Sequence, residues 1–177
     1  FVQSEQMKKD VVAEAIADNK ITAVPMGIDL DLMPERTPSD SCHSSESIVL
    51  YLGTLARVRR MDFLIRAFSI AKEHSPAAVL YIVGGGENDL DEIILMDEVE
   101  RLGLSDSVVF TGFIPLSDAW NYVSRARVCV SPFYPTPILN STSPTKLVEY
   151  MAMGKAVVAN DHPEQKQVIN ESDAGIC

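Results

Sequence analysis

At 177 residues and 46% apolar, with no apolar run near the roughly 18 residues of a membrane helix, the chain reads as a globular domain, not a membrane span. A formal net charge of −10 speaks against a nucleic-acid coat or a broadly basic membrane patch, so an anionic ligand would need cations concentrated locally. Cys42, Cys129 and Cys177 lack metal-ligand spacing and fit a reducing compartment better than a disulfide framework, so a cytosolic location is expected.

The opening FVQSEQMKKD has neither an initiator Met nor a secretion-signal progression, and the chain is read as a piece of a longer protein. From residue 4 to about 18, Met7, Val11, Val12, Ala15 and Ile16 have helical spacing, with Ser4 as N-cap. ITAVPMGID predicts a short strand and turn. Residues 33–47, rich in Pro, Ser and charge, have no period and mark a linker. Residues 1–44 are therefore expected to be an interdomain segment with the edge of another domain, and 45–177 to be one domain.

Strands and helices alternate from there. SIVLYLG is a buried strand, and Met61, Leu64, Ile65 and Phe68 form an i, i+3, i+4, i+7 stripe. AVLYIVGGG is the second strand, followed by a helix marked by Leu95, Val99 and Leu102 and closed by Gly103. SVVFTG, a helix over 117–125, RVCVSP, a helix over 144–153, KAVVAND and a helix over 163–170 complete the pattern. Wholly apolar strands separated by helices predict a doubly wound α/β domain with a parallel sheet covered on both faces.

In such sheets ligands bind beyond the carboxyl ends of the strands, which singles out GTLARVRR, GGGEND, TGFIP, SPFYPTPILNSTSP and ANDHPEQ. The fourth of these loops is long and proline-rich, as functional loops often are. Ser143 reads as the N-cap of the helix that follows, with Pro144 at its first position. The N–H groups of Thr145, Lys146 and Leu147 would then face the cleft and suit a phosphate. Helix periodicity sets Leu147, Tyr150, Met151 and Gly154 against the sheet, with Glu149 opposite, beside Lys146 and Met153. Glu149 is either the acidic half of a solvated pair with Lys146 or an acceptor for vicinal ribose hydroxyls. RVRR at 57–60 is either an exposed basic turn or a set of forked donors for a diphosphate, with Gly53 and Thr54 just before it. VGGGEND breaks the dinucleotide fingerprint at Asp89 and follows the second strand, so it reads as a loop capped by Asn88 or Asp89. His43, His74 and His162 stand too far apart in sequence to suggest a metal site.

YLGTLARVRRMDFLIRAF, LYIVGGGE, VVFTGFIP, ARVCVSPFY and SPTKLVEYMAMGKAVVAND resemble, in order and spacing, the carboxy-terminal donor-binding domain of retaining GT-B glycosyltransferases. Within that group the likeness is to group 1, glycosyltransferase family four. The resemblance implies a Rossmann-like domain that binds a nucleotide diphosphate-sugar, and a hexosyltransferase working in polysaccharide or glycolipid assembly. By it, Glu149 holds the ribose. Ser143, Pro144, Thr145, Lys146 and Leu147 meet the diphosphate and sugar. Gly112, Phe113 and Ile114 flank the base. Gly53 and Thr54 form the strand-one turn, where Thr54 replaces the family's Arg, and the turn's cation falls on Arg59, with Arg57 or Arg60 as substitutes. The family's first glutamate is Ser141 here. Arg59 and Lys146 would stabilise the leaving diphosphate, with no metal or cofactor. Acceptor binding is implied for an amino-terminal domain, the 177 residues alone are expected to be inactive, and the longer protein would be cytoplasmic, at most peripheral to the inner membrane face. The competing class is a catalytically inactive nucleotide-binding or scaffold module.

Overall fold

The computed structural model describes residues 1–34 and 47–177. Most of the predicted linker, with Cys42 and His43, lies outside these described residues. The second part holds six parallel strands in the order β3-β2-β1-β4-β5-β6: β1 Ser47–Leu52, β2 Ala78–Val83, β3 Val108–Phe110, β4 Val128–Ser131, β5 Ala156–Ala159 and β6 Gly175–Ile176. The predicted doubly wound parallel sheet is therefore present, with a sixth strand of two residues that carries too little pattern to be seen in sequence.

Alternation along β1 splits the interior into two cores. Ile48 and Leu50 face one side, which is closed by α4 Leu116–Arg125, α6 Thr145–Ala152 and α7 Pro163–Ser172 through Trp120, Val123, Leu147, Tyr150 and Ile169. Val49 and Tyr51 face the other, closed by α2 Met61–His74 and α3 Asp89–Arg101 through Leu64, Ile65, Phe68, Leu95 and Val99. All four residues of the predicted α2 stripe are buried. At roughly 1.5–3 kcal/mol for each large apolar side chain removed from water, these two layers supply the main drive for folding.

The first 34 residues depart from their reading. α1 spans Glu5–Ala13, shorter than expected, and ends where Ala15 turns left-handed at φ 66°. Its apolar residues find no core: none is buried, and Ile16 is exposed. The expected strand at ITAVP is a single bridge between Val2 and Ala23.

The sheet order reverses between β1 and β4, whose following segments lead apart to opposite faces. A crevice opens at that switch point, beyond the strand ends.

Candidate functional site

The crevice is a cleft of about 430 Å³ lined by Leu52, Gly53, Thr54 and Arg59 after β1, and by Phe133, Leu139 and Thr142 after β4. Ser143, Pro144, Thr145, Lys146 and Glu149 come from the start of α6, with Leu116 and Gln3 at the rim. No acidic residue sits in the first turn of α6, and no side chain caps it. The helix begins one residue later than expected, with Pro144 at the N-cap. Ser143 cannot cap because its hydroxyl is engaged elsewhere: it donates to Glu164 Oε1 (2.8 Å) and accepts from the Met26 N–H (2.9 Å).

Lys146 and Met153 are buried, against the expectation that they share an exposed face with Glu149. Lys146 is 7% exposed, its Nζ 4.7 Å from the centre of the Tyr51 ring and 4.9 Å from that of Phe133, with Tyr51 Oη at 3.5 Å. An aromatic box attracts a cation by the ring quadrupoles but does not replace its hydration. Burial, with the Arg59 charge beside it, accordingly pulls the ammonium down to about 7; Glu149 opposes this. Glu149 is half-buried, and burial raises its carboxyl, with Lys146 opposing. The solvated-pair reading fails because Lys146 points inward.

Arg59 is aimed by Thr54: its Nε donates to Thr54 Oγ1 at 2.8 Å, and its guanidinium lies 5.8 Å from the Phe133 ring centre. Tyr51 braces the same turn, its hydroxyl donating to the Thr54 carbonyl (2.8 Å), and Tyr150 accepts the Leu52 N–H (2.7 Å). Gly53 has φ 152°, and a Cβ there would meet Tyr51 Oη at 3.0 Å and Lys146 Nζ at 3.2 Å. Glycine is what lets the lysine lie against the turn.

Arg57 goes elsewhere. It leaves the cleft and sits 3.3 Å from the buried Asp91 of α3. Arg60 pairs with Asp62 and lies 4.7 Å from the Tyr134 ring centre. Of the RVRR cations only Arg59 lines the cleft. Gly112, Phe113 and Ile114 follow β3 outside the lining, with Phe113 fully exposed, and the Leu147 side chain is in the core. Ser141 points its hydroxyl at Asp10 and the Pro137 carbonyl.

Several contributing residues carry no sequence signal of their own. α5 Pro137–Asn140, capped by Thr136, sits inside the long loop and brings Leu139 to the cleft. His162, read as an unremarkable histidine, is wholly buried: Nε2 donates to the Leu139 carbonyl (2.8 Å) and Nδ1 accepts the Gln165 N–H (3.4 Å). Burial lowers its basicity, in keeping with the neutral tautomer these partners select. Tyr51 and Phe133 read in sequence only as core or loop residues. Among the described residues no cluster of three or more His, Cys, Asp or Glu side chains could hold a metal ion, and no helix is long and apolar enough to cross a membrane. Cys129 and Cys177 are free thiols.

A doubly wound parallel sheet with an uncapped helix start and two cations at its switch point places the chain in the Rossmann-like class of α/β domains, the kind found in GT-B glycosyltransferases. It belongs to the family described as glycosyl transferases group 1, whose model matches residues 46–177. Mannosylfructose-phosphate synthase of Agrobacterium fabrum is 31% identical over 141 residues, covering 73% of this chain and 31% of that protein. Alpha-monoglucosyldiacylglycerol synthase of Streptococcus pneumoniae is 24% identical over 185 residues, covering 94% of this chain and 39% of that one. The chain thus spans about a third of the length of its curated relatives. Anabaena HepE, solved with UDP and glucose, matches with a TM-score of 0.76 at 19% identity over 94% of this chain and 45% of its own. Sucrose-phosphate synthase of Thermosynechococcus elongatus gives 0.74 at 23% identity over 99% of this chain and 43% of its own. These two likenesses are of fold.

Proposed function

We propose that this chain is the donor-binding half of a retaining glycosyltransferase of family four, which moves a hexosyl group from a nucleotide diphosphate-sugar to an acceptor hydroxyl in polysaccharide or glycolipid assembly. One observation carries the reading: a helix start free of acids, the Arg59 guanidinium, the buried Lys146 ammonium and the half-buried Glu149 share a single cleft. In it the diphosphate lies against the first N–H groups of α6, between Arg59 and Lys146, and Glu149 accepts hydrogen bonds from the ribose hydroxyls. As the bond from the anomeric carbon to the diphosphate oxygen breaks, its electron pair stays on the diphosphate. Arg59, Lys146 and the helix start stabilise that charge in place, without a metal. Two relatives are named as synthases of hexose-bearing products, which supports a hexosyl donor. Acceptor binding falls to a part of the protein beyond this chain, and the 177 residues alone bind nucleotide weakly and turn nothing over.

The test is calorimetric titration of the chain with UDP, GDP and ADP, with Glu149→Ala as control. Selective binding of one nucleotide, abolished by the substitution, is expected. No binding of any at millimolar concentration would overturn donor binding by this chain and favour the scaffold reading, which Thr54 and Ser141 permit. Turnover by the chain alone would refute its inactivity.

A further inference from the structure

The family match starts at residue 46, but the cleft also draws on the beginning of the chain, since Gln3 is among its lining residues. Both neighbours of Gln3 are pinned. The Val2 N–H donates to the Thr22 carbonyl (3.0 Å), and the Val2 carbonyl accepts the Val24 N–H (2.8 Å). Ser4 is 1% exposed, its hydroxyl accepting the Met7 N–H (3.0 Å) and donating to the Ser141 carbonyl (2.7 Å). Two further ties bind the same segment to the loop before α6: Ser141 Oγ to the Asp10 carboxylate, and the Met26 N–H to Ser143 Oγ. Gln3 itself is exposed at the rim, so a fixed backbone presents a side chain that is free to engage a ligand.

We propose that Gln3 reads the sugar end of the donor, its amide exchanging hydrogen bonds with ring hydroxyls. The inference rests on the donor reading above. Glu149 lies one turn along α6 from Thr145, a rise of about 6 Å, so ribose on Glu149 sets the diphosphate at the helix start. The group beyond the diphosphate then falls past that start, beside residues 141–143, where the Ser4 bond to the Ser141 carbonyl places Gln3. A side-chain amide offers an acceptor oxygen and two donors, the complement of hydroxyls that both give and accept.

Titration of the full chain and of Gln3→Ala with UDP, GDP and ADP, and with UDP-glucose, GDP-mannose and ADP-glucose, tests this. The substituted chain is expected to hold the preferred nucleoside diphosphate within about twofold of the parent and to lose about 5- to 10-fold affinity for its neutral sugar conjugate, the size of one or two hydrogen bonds. An unchanged melting temperature shows that the exposed substitution leaves the fold intact. Equal loss for both ligands, or loss for neither, overturns the role of Gln3 while leaving the donor site standing. A folded parent that binds no nucleoside diphosphate overturns the donor reading and this inference with it.

Discussion

The starts of α3 and α6 both follow a strand of the same sheet, and they have opposite electrostatics. At α3 the acids Asp89, Asp91 and Glu92 occupy the first turn; the Gly86 N–H donates to Glu92 Oε1 (3.1 Å) and the Glu87 N–H to Asp91 Oδ2 (3.2 Å). The protein's own carboxylates occupy the place an anion would take. At α6 the first turn has no acid, and Arg59 and Lys146 stand beside it. The RVRR turn is divided between the two: Arg57 joins the acidic α3 end, Arg59 the cationic α6 end. A glycine-rich loop is thus a weaker pointer to a phosphate site than the question of what already satisfies the amides.

Breaking the α6 end should have the largest effect. Arg59→Ala is expected to cost about 2–3 kcal/mol of nucleoside diphosphate binding, about 30- to 150-fold in Kd, as loss of a charge-assisted contact does. Lys146→Met should lose comparable affinity yet raise the melting temperature at pH 6, because it removes a buried ammonium without removing volume. Calorimetry and thermal melts on the two variants check both signs. Lower stability in Lys146→Met would mean that the aromatic box stabilises the cation more than burial penalises it.

Acidity sharpens the same contrast. The folded-state value of Lys146 is depressed from 10.5 to about 7, so between those values the unfolded chain binds the extra proton and the fold gains stability from this group as pH rises. Ligand binding should run the other way. A diphosphate favours the ammonium, so binding above pH 7 takes up a proton and affinity falls by up to about tenfold per pH unit. From pH 7.5 the ligand is already fully ionised, since second phosphate ionisations lie near about 6, and the decline belongs to the protein. Titration between pH 7 and 9 in two buffers of different ionisation enthalpy measures the proton uptake; zero uptake would show that Lys146 keeps one protonation state on binding.

Gly53→Ala should act on the α6 end indirectly. The positive φ is strained for alanine, and the added Cβ, 3.0 Å from Tyr51 Oη and 3.2 Å from Lys146 Nζ, must displace the lysine tip. About tenfold weaker nucleotide binding with about 1–2 kcal/mol lost in stability is expected. Unchanged affinity would show that the position of Lys146 matters less than its charge.

How far this division could be read from sequence depends on whether each feature is local. The strands and the α2 stripe were legible, because an apolar run or an i, i+3, i+4, i+7 pattern is a property of one segment. The two sides of the RVRR turn were not, because Arg57 is claimed by a residue 34 positions on, which no spacing announces. Nor was the burial of Lys146. Periodicity put it opposite the sheet, but the β1 turn folds over that side of α6, and Gly53 leaves the room for it. The Ser143 cap failed similarly, its hydroxyl drawn to Glu164 and Met26 from distant segments.

The smallest effect on binding should come from the α3 end. Arg57 is exposed but is the counter-charge of Asp91, which is 4% exposed and has no other cation within ion-pair distance among the described residues. Arg57→Ala therefore leaves a buried carboxylate supported, among the described residues, only by the Glu87 N–H. Discounted for the exposure of its partner, the cost should be about 1 kcal/mol of stability, partly recovered in Arg57→Ala with Asp91→Asn. Nucleoside diphosphate affinity should change by less than about twofold, because the lost charge sits beside a carboxylate that cancels its field at the cleft. An affinity loss approaching that of Arg59→Ala would mean that the turn rearranges on binding and delivers Arg57 to the ligand. The acids of α3 would then compete with the diphosphate for the same arginine, and the two helix ends would be coupled instead of separate.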